Sequence, residues 1–188
     1  MKDSRYILVL IALFLVLLDP PRAVGALNIT VPDIVLVKQN GQNVHLYSDL
    51  VKGRKAVVIN TIFTTCTTIC PQIGVRIARL QKALAEFSPA DYSLISISVD
   101  PVVDTPERLR AWAAKMGARP GWTLLTGPKM QVDAVLQKLT LATPDKFTHS
   151  PVSLVGSDGP DGFVTCNALA GGDPLIRLVQ QRLGAVKK

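Results

Sequence analysis

Two short apolar runs constrain the fold of this 188-residue chain more than any other feature in it. Residues 56–63 (Ala-Val-Val-Ile-Asn-Thr-Ile-Phe) and 92–99 (Tyr-Ser-Leu-Ile-Ser-Ile-Ser-Val) are rich in β-branched side chains and carry no charge. Runs of this kind are strands buried in the middle of a sheet, covered on both faces. Between them, Ile73, Ile77, Leu80, Leu84 and Phe87 advance by 4, 3, 4 and 3, which predicts one apolar face of a helix opened by Pro71. The three segments together predict a strand–helix–strand unit.

The remaining segments extend the same alternation. Residues 34–36 and 44–47 flank Gln39-Asn40-Gly41 and predict a hairpin with an Asn-Gly turn. Asp104-Thr105-Pro106-Glu107 predicts a helix start capped by Asp104 or Thr105, and Gly117 predicts its end. Residues 122–125 predict a strand, 130–139 a helix, 152–155 and 163–165 a strand pair, and 175–183 a closing helix. The order predicts an α/β domain with a central mixed sheet flanked by helices and preceded by an N-terminal β-hairpin. Two cysteines between a central strand and the following helix make the arrangement thioredoxin-like, and open α/β sheets place their sites at that end.

Residues 6–18 form a 13-residue apolar stretch, short of the ~20 residues a membrane-spanning helix needs. With Lys2 and Arg5 before it and small residues 23–26 after it, residues 1–26 are expected to be a signal peptide or N-terminal anchor. Residues 27–188 are expected to form the single domain. Export to the bacterial periplasm, or to the outer face of the inner membrane, follows from this reading, with residues 6–18 as the means of any membrane association. The net charge is +7, but the basic residues are scattered without interleaved aromatics, so no nucleic-acid partner is expected.

Three cysteines are too few, and odd in number, for a disulfide scaffold. The informative pair lies in Cys66-Thr-Thr-Ile-Cys70-Pro71. Backbone N–H groups at a helix start favour a thiolate, and Pro71 puts Cys70 at or next to the cap. Three intervening residues, rather than two, separate this motif from the thioredoxin type. On a helix such a pair has Cβ atoms ~5–6 Å apart, wider than the ~3.5–4.5 Å of a disulfide, which suits a shared metal. In a loop, reversible disulfide formation is allowed. Two thiolates favour soft Cu(I), with Cu(II) a second state, over zinc, which wants four ligands. Of the two histidines, His149 precedes a strand at the expected site end and is the candidate third ligand, while His45 in the hairpin reads as structural. Cys166, Trp112 and Trp122 read as core residues. Motifs for nucleotide phosphates, serine hydrolases and zinc proteases are absent from the sequence.

The chain resembles the Sco/SenC family of copper-handling thioredoxin-fold proteins. The resemblance rests on Phe63-Thr64-Thr65-Cys66-Thr-Thr-Ile-Cys70-Pro71, on Ser96-Ile-Ser-Val-Asp100-Pro101 with Asp104-Thr105-Pro106-Glu107, and on His149-Ser150. It implies that Cys66, Cys70 and His149 bind one copper ion, and that Asp100 stands close to the site and orders it. It also implies delivery of copper to a subunit of cytochrome c oxidase, or reduction of that subunit's cysteines. Thr67 stands where many members have proline, and Cys166 is not expected in the family. Two functions are therefore expected: a copper metallochaperone and assembly factor, or a thiol–disulfide oxidoreductase using Cys66 and Cys70 as its redox pair. A redox or copper sensor is a third reading.

Overall fold

The computed structural model describes residues 25–184. Its centre is a seven-stranded mixed sheet with helices on both faces, the thioredoxin-like α/β architecture expected. The elements run β1 (Val35–Lys38), β2 (Asn43–His45), α1 (Leu46–Leu50), β3 (Ala56–Ile62), α2 (Ile69–Ala83), β4 (Tyr92–Ser98), α3 (Pro106–Met116), β5 (Trp122–Thr126), α4 (Lys129–Lys138), a 3-10 turn (Lys146–Thr148), β6 (Val152–Gly156), β7 (Phe163–Asn167) and α5 (Pro174–Arg182). Across the sheet the order is β2-β1-β5-β4-β3-β6-β7. Strands β3, β4 and β5 are parallel, whereas β6 runs antiparallel to β3, and β1 antiparallel to β5.

Every residue of β3 and of β4 is buried. Side chains alternate across a strand, so one uncharged run feeds two cores. Ala56, Val58 and Ile62 meet Ile73, Ile77 and Leu80 of α2, Leu109 and Trp112 of α3, and Leu175 and Val179 of α5. Val57 and Ile59 face Val132, Val135 and Leu136 of α4 together with Leu36, Val44 and Leu46. The two tryptophans lie in the first core, edge to face at 6.1 Å, and the Trp122 indole donates to Ser96 Oγ.

Two local predictions are corrected, and the choice between the two caps of α3 is resolved. Strand β2 stops at His45 because the Asp33 carboxylate accepts the N–H groups of Tyr47 and Ser48, which turns residues 46–50 into a short helix. Helix α2 opens at Ile69, two residues before Pro71, and ends at Ala83, so Phe87 packs on the core from beyond it. Proline is harmless there, since no N–H in the first helical turn has an intrahelical partner. Thr105 alone caps α3, its hydroxyl accepting from Arg108 N–H, and Gly117 closes that helix at φ +74°. Gly156 ends β6 where an added Cβ would lie 2.5 Å from the Gly162 carbonyl, which explains glycine at that position.

The N-terminal segment predicted as a signal peptide or anchor lies, up to residue 24, outside the described residues. Among the described residues no helix is long and apolar enough to cross a membrane.

Candidate metal centre

The site lies where β3 ends. Phe63 is buried directly after the strand, and the chain then turns, with Cys66 N–H donating to the Phe63 carbonyl. Thr68 occupies the N-cap of α2, but its side chain makes no capping bond. Cys66 does this instead: its Sγ accepts the N–H of Cys70, the second residue of the helix, at 3.4 Å, and lies 3.6 Å from Thr68 Oγ1. A sulfur taking the place of the usual cap oxygen sits among donors that favour negative charge. Cys66 thus lies in a turn and Cys70 in a helix, so neither the all-helical nor the all-loop picture of the pair holds.

Antiparallel pairing brings in the third residue. The register that sets Asn60 opposite Ser153 carries the residues before β6 alongside those after β3. His149 follows the 3-10 turn Lys146–Thr148 and is 6% exposed. Its Nε2 lies 3.1 Å from Cys70 Sγ. The ligand atoms of Cys66, Cys70 and His149 all lie within 4.8 Å of one another, and all three residues are buried. Donors sharing one ion at bond lengths of ~2.0–2.3 Å stand roughly 3.5–4 Å apart, so a small inward movement of the side chains would bring all three onto one ion. Two sulfurs and an imidazole nitrogen form a soft to borderline set that fits copper.

The electrostatics separate the two thiols. Burial alone would raise the Cys66 thiol, but hydrogen bonds from Cys70 and Thr68 outweigh it and leave it below the ordinary thiol value. Burial, together with the hydrogen bond to Cys66, pushes Cys70 far above that value. Burial also lowers the His149 imidazole; the Ser150 backbone opposes this only in part, and Nδ1 makes no hydrogen bond of normal geometry. A neutral ring and one easily formed thiolate are what a metal-ligand pair requires.

Asp100 was expected beside the ligands. Its carboxylate accepts a hydrogen bond from Lys146 Nζ at 2.6 Å, three residues before His149, and is not one of the three converging donors. His45 is exposed, 3.6 Å from Asp33, far from this chemistry. Cys166 is buried in the first core, as read.

Two residues of the site were not picked out by sequence reasoning. Asp104, fully buried, accepts from Thr64 N–H at 3.1 Å, from Thr64 Oγ1 at 2.5 Å and from Ser98 Oγ at 2.6 Å. It thereby fixes the start of the Cys66 turn. A signal existed, since only one of Asp104 and Thr105 was needed as a cap. Lys146 gave none, because its partner is 46 residues away.

Comparison with known proteins identifies the family and the fold. The SCO1/SenC family model matches residues 26–153. The SCO1 protein homolog of Bacillus subtilis is 37% identical over 159 residues, covering 80% of each chain. The solved structure of BsSco, a member of the Sco family of cytochrome c oxidase assembly proteins in which a disulfide switch has been identified, superposes with a TM-score of 0.69. It is 30% identical and covers 85% of this chain and 95% of that one. Copper-bound ScoI of Bradyrhizobium japonicum shares the fold at a TM-score of 0.63 and 23% identity, over 81% and 97% of the two chains.

Proposed function

The chain belongs to the SCO1/SenC family, and from that premise we propose that it is a copper-binding assembly factor that holds one copper ion through Cys66, Cys70 and His149. The observation that carries the reading is the convergence of those three buried donors within 4.8 Å. Cu(I) is the favoured state, because two thiolates dominate the set; Cu(II) is the second. Cys66 supplies the first thiolate. Cys70 must lose its proton as the metal enters, so uptake is coupled to proton release. Neutral His149 offers a nitrogen lone pair without any proton change. Copper is cargo in this scheme. It leaves by ligand exchange to an acceptor with stronger thiolate ligands, for which a copper-site subunit of cytochrome c oxidase is the proposed partner. The proposed setting is the bacterial periplasm or the outer face of the inner membrane, with residues 1–26 as export signal or anchor.

A second reading has its own support in the lowered Cys66 thiol beside Cys70. As a thiol–disulfide oxidoreductase, the protein would pass two electrons and two protons to a partner disulfide. The partner gains two thiols and Cys66–Cys70 becomes a disulfide.

Competition between the reduced protein and a Cu(I) chelator separates the two. One tightly held copper per chain is expected, abolished in Cys66→Ser/Cys70→Ser and markedly weakened in His149→Ala. No copper above the double variant's background would overturn the proposal in favour of the redox reading, and an unweakened His149→Ala would remove the histidine from the ligand set.

A further inference from the structure

A metal-ligating imidazole is ordinarily oriented by a hydrogen bond on its second ring nitrogen. In this chain that nitrogen, Nδ1 of His149, is buried with no hydrogen bond of normal geometry, and the Ser150 backbone that it meets belongs to the same loop and cannot anchor it. Orientation falls instead to whatever grips the loop. Residues 143–150 direct several of their polar groups at one another: Thr143 and Thr148 hydroxyls both donate to the Asp145 carbonyl, and Phe147 N–H donates to the Asp145 side chain. Among the described residues, two side-chain hydrogen bonds tie this stretch to the rest of the domain. One is the His149–Cys70 contact itself, and the other joins Lys146 Nζ to Asp100 Oδ2.

The second tie is built to hold. The Lys146 and Asp100 side chains are 30% and 14% exposed, so solvent screens the pair less than one on the open surface. The ammonium also lies 5.7 Å from the Phe63 ring centre and 5.3 Å from that of Phe147. Phe63 in turn packs edge to face against His149 at 5.3 Å. Lys146 begins the 3-10 turn that delivers His149, so a shift of one carries the other.

We propose that the Lys146–Asp100 ion pair is a latch that positions His149 against Cys70, and that opening it turns a three-donor site into a two-thiol site. Lys146 and Asp100 are positioning residues, acting on the ligand through the 3-10 turn and the Phe63 ring. The consequence for copper rests on the function proposed above; the latch belongs to the metal-free fold.

Two measurements test it. In the reduced, metal-free protein, diethyl pyrocarbonate modification of His149 is read by mass spectrometry against exposed His45 as internal reference. Lys146→Gln and Asp100→Asn should each raise the His149-to-His45 ratio by about fivefold, while Lys146→Arg, which keeps the charge, should stay within about twofold of wild type. A ratio unchanged in both neutral variants, or raised as much in Lys146→Arg, overturns the latch. The second measurement is Cu(I) affinity in a double-mutant cycle. Lys146→Gln should weaken affinity by about fivefold in the wild-type background and not at all in the His149→Ala background. Equal losses in both backgrounds overturn a route through His149. A wild type that binds no copper would strike the proposed function, and the modification ratio would still decide the latch.

Discussion

Cys70 Sγ lies 3.1 Å from His149 Nε2, a contact between side chains 79 positions apart in the chain. It joins the first turn of α2 to the entrance of β6, two elements that share a sheet end only because β6 runs antiparallel to β3. Burial keeps the thiol protonated and the ring neutral, so the pair faces one another as neutral groups until a metal displaces the thiol proton. Cys66 completes the group, with its sulfur on the Cys70 N–H. The three donors are therefore unequal before any metal arrives.

That inequality predicts which thiol reacts first. Cys66 lies below the ordinary thiol value and Cys70 and Cys166 above it. Limiting iodoacetamide near pH 7.5 should label Cys66 at least about tenfold more than either other cysteine, as read by peptide mapping. The Cys66 rate should also rise with pH at a midpoint below that of a free thiol. Equal labelling of Cys66 and Cys70 would sink the asymmetry.

Stability should fall in alkali. Burial raises Cys70 and Cys166, so the unfolded chain loses those two protons at lower pH than the native protein does. The native state then binds more protons, and stability decreases as pH rises through and beyond the unfolded thiol pKa of about 8.5. Cys66 contributes with the opposite sign, its stabilisation arriving as pH climbs through its lowered value. Urea unfolding of the reduced, metal-free protein between about pH 8 and 10.5 should show a decline that is shallower in Cys166→Ala. An identical slope in that variant would exclude Cys166 as a contributor.

Asp104 should matter to both stability and the site. Removing its carboxylate leaves Thr64 N–H and the Thr64 and Ser98 hydroxyls without their acceptor in a buried setting. Asp104→Ala should cost about 2–4 kcal/mol, with Asp104→Asn costing less because one acceptor oxygen remains. Denaturant titration measures both. A loss under about 0.5 kcal/mol in Asp104→Ala would show that the Phe63–Cys66 turn holds without it.

Much of this arrangement was legible in the chain itself. The uncharged runs around Val58 and Ile95 read as doubly covered strands, and the spacing of Ile73, Ile77 and Leu80 as the buried face of their crossover helix, and the structure has both. Cys66 and Cys70 announced themselves by their place at the helix start, and His149 by being one of two histidines and the one next to a site-end strand. Less visible was anything whose partner is distant. Asp104 reads locally as a cap, yet its carboxylate serves Thr64, 40 residues back. Asp100 reads as a neighbour of the ligands, yet its carboxylate pairs with Lys146, 46 residues on.

Hydrophobic period, turn residues and cysteine spacing are local properties, set by backbone geometry within a few residues, and they determined the elements, the sheet-and-helix class and the two thiols. The placement of β6 beside β3 was decided only in three dimensions, because strand pairing depends on which faces must be buried together. That pairing set His149 against Cys70 and brought Lys146 to its carboxylate. Buried polar groups must find partners wherever the fold offers them, and short-range pattern carries no record of such partners.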